Sequence, residues 1–214
     1  MNKWLDSCVD TYITHFGKVE SPVVYDVGSR DGRDGHELAA RIMSRGAPNV
    51  VLFECNPPQI EVIKNTYPKA TLITEAISNT TGTTDFLQIF GDKNMVGSSS
   101  MNLARVHEPW VKQTNTIQVN TRRLDSVVEE LGHQTTQIDI MKIDIEHYTW
   151  EALESLGAYI RNVRVFHLET EIEGAARNKT NLDIALYMQQ KGYICTSLEH
   201  EWGPAIQDQV WLRV

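Results

Sequence analysis

Short runs rich in β-branched residues alternate with amphipathic segments along most of the chain, and this alternation restricts the fold more than any other feature. PVVYDV (22–27) reads as a buried strand running into the turn Gly28-Ser29-Arg30-Asp31-Gly32. A helix should follow, with Asp34 and Glu37 as a capping box, Leu38–Ile42 and Ala39–Met43 as apolar pairs, and Gly46 as its stop. The unit repeats in NVVLFE (49–54), where Asn56 can cap and Pro57 and Pro58 open a second helix. ATLITEAIS (70–78) is a third strand. TTDFLQIF (83–90) and NTIQVNTRRL (115–124) alternate only in part and flank the Gly-, Ser- and Asn-rich GDKNMVGSSSMN, so they read as an inserted antiparallel strand pair.

Alternation resumes with LDSVVEELG, where Ser126 and Glu129 pair as a cap and Gly132 stops the helix. QIDIMKID (137–144), a helix with Trp150, Leu153 and Leu156, VRVFHLE (163–169) and a helix boxed by Thr180 and Asp183 follow, and Gly192 ends the last helix. YICTSLE and QVWLRV have no helix between them and imply a hairpin. The expected fold is α/β, a doubly wound, mostly parallel seven-stranded sheet with a C-terminal antiparallel hairpin and an inserted antiparallel strand pair. No repeat or linker interrupts it, so residues 1–214 read as one domain.

Composition narrows the partners. The 20 basic and 28 acidic residues leave a net charge of -8, which disfavours contact with nucleic acid or with an anionic membrane. Cys8, Cys55 and Cys195 are odd in number and have no CxxC spacing, so neither a disulfide framework nor a zinc site is expected. Asp6 and Asp10 fall where a signal peptide needs apolar residues, and no apolar run approaches the roughly 20 residues of a membrane span. These features suggest a cytoplasmic protein.

Doubly wound sheets bind ligands at the carboxyl ends of their strands. Those ends are Asp26 to Gly32, Glu54-Cys55-Asn56-Pro57, Glu75-Ala76, Lys142 to Glu146 and Glu169-Thr170-Glu171. The first turn is not the dinucleotide fingerprint, because GxGxxG needs glycine where Arg30 stands. Glu54, ending the second strand, is placed to accept from both hydroxyls of a ribose. A nucleoside without a pyrophosphate points to S-adenosylmethionine, with Gly28 and Gly32 admitting the ligand to the backbone and Asp26 setting negative charge near its cationic end. Each residue also has a plainer reading: a structural turn, a solvated strand end for Glu54, a helix cap for Asp144.

DVGSRDG, FECNP, TRRLDSV and above all MKIDIEHYTWEALESL resemble the FkbM-type family of S-adenosylmethionine-dependent methyltransferases, in which a DxGxNxG turn, an acidic strand end, a TLD segment and a KIDVEG block recur in this order. The resemblance runs from about Val23 to Glu171, and GSSSM (97–101) resembles the family's Ser-rich segment. It implies a class I, Rossmann-like methyltransferase that moves a methyl group to an oxygen of a small molecule or sugar. The cofactor-binding residues are then Asp26, Gly28, Ser29, Arg30, Gly32, Glu54, Cys55, Asn56, Glu75, Ala76 and Asp144. Asp144 would orient or deprotonate the acceptor, surrounded by Lys142, Glu146, His147 and Glu169. Three positions depart from the pattern: Arg30 replaces asparagine, Arg123 replaces threonine, and His147 replaces glycine, narrowing the acceptor pocket or contributing to it.

Lys142 has a second reading, as a structural ion pair. Asp144, His147, Glu169 and Glu171 have the ligand types of a divalent metal site, but without HxxxH or HxH spacing the sequence favours a metal-free cluster. His36 reads as solvated or capping, His167 as a core histidine, and Trp150, Trp202 and Trp211 as packing. Residues 91–112 read as a lid, hinged at Gly91, Gly97 and Ser98 to Ser100 and carrying Met101, His107 and Trp110. The rival functions are a non-catalytic nucleoside-binding protein and an RNA ribose 2'-O-methyltransferase, the latter ranked low because of the acidic charge.

Overall fold

The computed structural model describes residues 3–90, 99–107, 111–171, 179–199 and 206–214. Helix α1 (Lys3–Phe16) opens the chain and buries Trp4, Leu5, Cys8, Val9 and Tyr12 along one stripe. The sequence reading gave this segment no element. The chain continues through β1 (Val19–Glu20), β2 (Val23–Val27), α2 (Arg33–Ile42), β3 (Met43–Arg45), β4 (Asn49–Phe53), α3 (Pro57–Thr66) and β5 (Thr71–Ile73). The inserted region holds β6 (Ala76–Ile77), β7 (Gly82–Phe90) and β8 (Gln113–Arg122). The second half runs α4 (Leu124–Glu130), β9 (Ile138–Ile143), α5 (Thr149–Ser155), β10 (Val163–Glu171), α6 (Asn181–Gln190), β11 (Tyr193–Glu199) and β12 (Ile206–Arg213).

The main sheet has seven strands in the order β11-β12-β10-β9-β2-β4-β5. It is mixed: β12 runs antiparallel to both β10 and β11, while β10, β9, β2, β4 and β5 pair in parallel. The chain winds outward from β2 through β4 to β5, then returns to β9 on the other side of β2. That reversal opens a crevice at the carboxyl ends of β2, β4 and β9. Each face of the sheet packs its own core. Tyr25, Val27, Met141 and Phe166 meet Val127, Leu153 and Met188, while Val24, Leu52 and Ile140 meet Leu5, Val9, Leu38 and Ile63. Each such fully buried side chain contributes about 1.5–3 kcal/mol.

The expected antiparallel pair is present as β7 and β8, but a third strand joins it, β6 pairing in parallel with β8. The segment 70–78 is therefore two strands in two sheets, β5 in the main sheet and β6 in the inserted one, with Glu75 just before the second. Four expected caps also differ. α2 begins after Gly32, in the left-handed region at φ 77°, and its third amide, Gly35 N, donates to Asp26 Oδ2 at 2.9 Å. Buried Asp26 thus fills the place expected for Asp34, whose carboxylate turns to Lys142 at 3.8 Å. The helix ends at Ile42 because β3 follows, ahead of Gly46. Asn56 precedes α3 without capping it, and Ser126 lies inside α4, donating back to Arg123 O. The Thr180–Asp183 box is formed in full.

Candidate active site

The turn after β2 is held by its own backbone. Gly28 N and Ser29 N both donate to Phe53 O, at 3.1 and 2.9 Å, and Ser29 Oγ bridges Asp26 O and Phe53 N. Gly28 has φ +87°, and a Cβ there would meet Asp144 O at 1.9 Å, so glycine is required for two strand ends to cross. A Cβ on Gly32 would meet Leu52 and the Tyr67 ring. The space that each missing Cβ frees is occupied by protein, and Gly28, unlike Gly32, also lines the cleft.

Glu54 holds the wall of the crevice. Its Oε2 accepts from Arg30 N at 2.9 Å and its Oε1 from Asn56 N at 2.7 Å, so one side chain joins the turns that follow β2 and β4. A carboxylate oxygen can accept two hydrogen bonds, so one acceptor position on each oxygen remains. Burial pushes the Glu54 carboxyl up to about 7, against the opposing pull of those amides. The cleft, about 600 Å³ including the open space at its mouth, is lined by Gly28, Arg30, Glu54, Cys55, Asn56, Glu75, Ala76, Asp144 and Glu146 among others. Burial also drives the Cys55 thiol well above its ordinary range, so it is not a nucleophile at neutral pH.

Asp26, Ser29, Lys142, His147 and Glu169 stand behind or beside that lining rather than in it. Lys142 is buried, with Nζ 3.0 Å from Asp144 Oδ2, 3.4 Å from Asp26 Oδ1 and 3.8 Å from Asp34 Oδ2. Burial alone would strip its proton, but the three carboxylates override this and hold it well above the usual lysine range. Burial likewise pushes Asp26 up, with Lys142 opposing. Asp26 is buried, with its charge directed to Lys142 and to the amide of Gly35 in α2. For Asp144, burial acts upward, yet the ammonium of Lys142 outweighs it and holds the carboxyl below its ordinary value.

Beyond Asp144 the backbone turns through two left-handed residues, Glu146 at φ 43° and His147 at φ 72°. The second explains why a glycine suits this position. His147 does not narrow the cleft: its N donates to Glu171 Oε1 at 2.8 Å, and its Nδ1 lies 3.3 Å from the same oxygen. Arg123 pairs with Asp125 and donates to Asn79 O at 2.7 Å, away from the cleft. Glu169 is buried, and burial together with Asp144, Glu146, Asp208 and Glu171 raises its carboxyl well above the ordinary range. Carboxylate oxygens of Asp144, Glu146 and Glu169 lie within 4.8 Å of one another.

The sequence reading missed one wall, built by the inserted sheet. Phe86 of β7 and Ile145 line the cleft, and Ser100 bridges to Leu87 while donating to Glu146 O at 2.8 Å. Gln88 Nε2 reaches over to Asn56 Oδ1 at 2.7 Å. Pattern alone could have marked the phenylalanine as buried but not the direction it faces. Of the lid segment, Ser99, Ser100 and Met101 line the cleft and His107 is exposed, whereas Gly91, Gly97, Ser98 and Trp110 lie outside the described residues, as does Trp202. His36 is half-buried: it stacks on Tyr67 at 3.7 Å, and its Nδ1 donates to Gly32 O at 2.9 Å. His167 is a buried core histidine, 2.8 Å from Asp208 Oδ1 and stacked on Trp4.

A doubly wound sheet with one antiparallel strand near its edge and a cleft over its switch point defines the class I methyltransferase fold. Solved structures agree. Magnesium protoporphyrin IX methyltransferase from Synechocystis PCC 6803 with bound SAM aligns at a TM-score of 0.52 and 12% identity over 99% of this chain and 79% of that one. An uncharacterized protein from Listeria monocytogenes aligns at 0.52 and 12% identity over 100% and 68%. At such identities the likeness concerns the fold alone. No curated protein matches the chain significantly. The model of the FkbM methyltransferase domain matches residues 26–195, and the chain belongs to this family of S-adenosylmethionine-dependent methyltransferases. No helix among the described residues is long and apolar enough to cross a membrane.

Proposed function

We propose that the protein methylates a hydroxyl oxygen of a small molecule or sugar. The observation that carries this reading is the position of Asp144: past the end of β9, on the lining of the cleft, with its carboxylate fixed by Lys142 at 3.0 Å.

The donor set suits S-adenosylmethionine. Glu54 has an acceptor position left on each oxygen, matching the two hydroxyls of a ribose, and the apolar side chains of Phe86, Ala76 and Ile77 line the same cleft. Arg30, with a half-exposed guanidinium at the cleft, is the candidate partner for the ligand's carboxylate. Cys55, Asn56 and Glu75 complete this half. When bound, the cofactor supplies an electrophilic methyl group on a sulfonium. Displacement at that methyl needs the acceptor oxygen in line and water kept out, so alignment is the protein's main contribution. Asp144 accepts a hydrogen bond from the acceptor hydroxyl and takes its proton as the new C–O bond forms. Lys142 positions Asp144 and does not touch the acceptor.

The test is transfer of label from S-adenosylmethionine to fractionated glycans and metabolites. One fraction should gain an alkali-stable O-methyl group. Asp144→Asn should lower turnover about 10²- to 10⁴-fold, as loss of a general base does, while S-adenosylhomocysteine affinity stays within about threefold. Label on nitrogen or carbon, or unchanged turnover in the variant, overturns the reading.

A further inference from the structure

Outside the cofactor half, Glu169 is a buried carboxylate surrounded by the like charges of Asp144, Glu146, Asp208 and Glu171. Its side chain is buried, its residue only 8% exposed, and among the described residues its carboxylate has no hydrogen-bond or ion-pair partner. It points into a space shared with Asp144 and Glu146, each offering an oxygen within 4.8 Å of the others. A buried carboxylate without a partner costs several kcal/mol, so such an arrangement calls for a ligand of opposite charge. The ammonium in contact with the group, Lys142, reaches only Asp144 and is shared with Asp26 and Asp34.

We propose that Asp144, Glu146 and Glu169 bind a divalent, oxygen-preferring cation such as Mg²⁺, Mn²⁺ or Ca²⁺. Hard cations hold oxygens at about 2.0–2.6 Å, so their ligands lie roughly 3–5 Å apart, the spacing seen here. Lys142 takes Asp144 Oδ2, which leaves Oδ1 for the ion and fixes the carboxylate's orientation, as outer partners of metal ligands do. Asp144 and Glu146 also line the cleft, so the ion's remaining positions open toward an acceptor. Its use deepens the O-methyltransferase reading: an acceptor with adjacent hydroxyls, a vicinal diol, chelates the ion and presents one oxygen for methylation. Ion binding itself does not depend on that reading.

The experiment titrates Mn²⁺ into the full-length protein, followed by electron paramagnetic resonance and calorimetry, with S-adenosylhomocysteine binding measured on the same samples. One Mn²⁺ per chain should bind saturably, at or below about 1 mM. Mg²⁺ should displace it. Glu169→Gln and Glu146→Gln should each weaken binding at least tenfold, and surface Glu61→Gln should not. Should Glu169→Gln fail to fold, Glu146→Gln, at a less buried position, carries the test. No saturable site, equal affinity in both cluster variants, or saturation by methylammonium in place of Mn²⁺ overturns the proposal. Loss of S-adenosylhomocysteine binding by the wild-type protein would instead overturn the function proposed above.

Discussion

The two halves of the cleft are built on opposite principles. On the side of β2 and β4 the turns are tied to protein partners: Glu54 accepts from two turns, and Ser29 closes the strand ends. On the side of β9 and β10, carboxylates crowd together and the backbone passes through two consecutive left-handed residues that are not glycine, against one, Arg30, in the turn after β2. The first half is complete before any ligand arrives and suits a ligand that never changes. The second stores crowded like charge and backbone strain, which persist where the surroundings over-determine them and a ligand relieves them.

Lys142 spans this divide, touching Asp26 on one side and Asp144 on the other, and its removal should have the largest effect on stability. Lys142→Met leaves three carboxylates, those of Asp26, Asp34 and Asp144, without their cation, and breaking a buried pair from one side costs about 3–5 kcal/mol. For a chain of this size that lowers the melting temperature by roughly 6–20 °C. A drop under about 3 °C would show that the halves are stabilised separately and that Lys142 matters only to Asp144.

A smaller effect tests the cofactor half alone. Glu54→Ala should weaken S-adenosylhomocysteine binding by about 1.5–3 kcal/mol, the worth of charge-assisted hydrogen bonds, roughly 10- to 150-fold. The pH dependence has a definite sign. With its carboxyl near 7, free Glu54 is protonated below that pH and must release the proton to accept from both hydroxyls. Affinity should therefore be level above about pH 7.5 and fall toward tenfold per unit below 7, and Glu54→Gln should flatten the profile. A wild-type profile flat from pH 5.5 to 8 would remove Glu54 from contact with the ligand.

How much was legible in the sequence follows the same division. The strands of the main sheet and the ends that carry Glu54 and Asp144 follow from apolar runs and turn residues, because buried parallel strands leave continuous apolar signatures. The ion-pair reading of Lys142 matches its place between Asp26 and Asp144, but what Asp26 does was not legible, since a charged residue in such a run reads the same whether it faces a ligand or a buried partner. The splitting of 70–78 between two sheets was hidden because the break falls at Thr74-Glu75, with no glycine or proline to mark a turn between the apolar pairs on either side. Helix α1 was overlooked for another reason: its acidic residues were weighed only against a signal peptide, whereas Asp10 is exposed and Asp6, half-buried, pairs with Arg41 of α2 beside the apolar stripe. Glu169 was named from its place at a strand end, but its lack of a partner is a fact of three dimensions.

His147 offers the smallest and most discriminating test of the acceptor half. A non-glycine residue at φ 72° carries a conformational cost of about 1–2 kcal/mol, and glycine removes it. The substitution His147→Gly also loses the contact of Nδ1 with Glu171 and adds freedom to the unfolded chain, each worth up to about 1 kcal/mol in the opposite direction. The bond from the backbone N to Glu171 Oε1 survives, because it does not use the side chain. The net change in stability should thus stay within about 1 kcal/mol, read as a shift of a few degrees in melting temperature. S-adenosylhomocysteine affinity should not move, since neither His147 nor Glu171 lines the cleft. If the variant instead loses more than about 2 kcal/mol, the imidazole–carboxylate contact is a structural strut, and the strain on this side of the cleft is offset within the protein rather than held for a ligand.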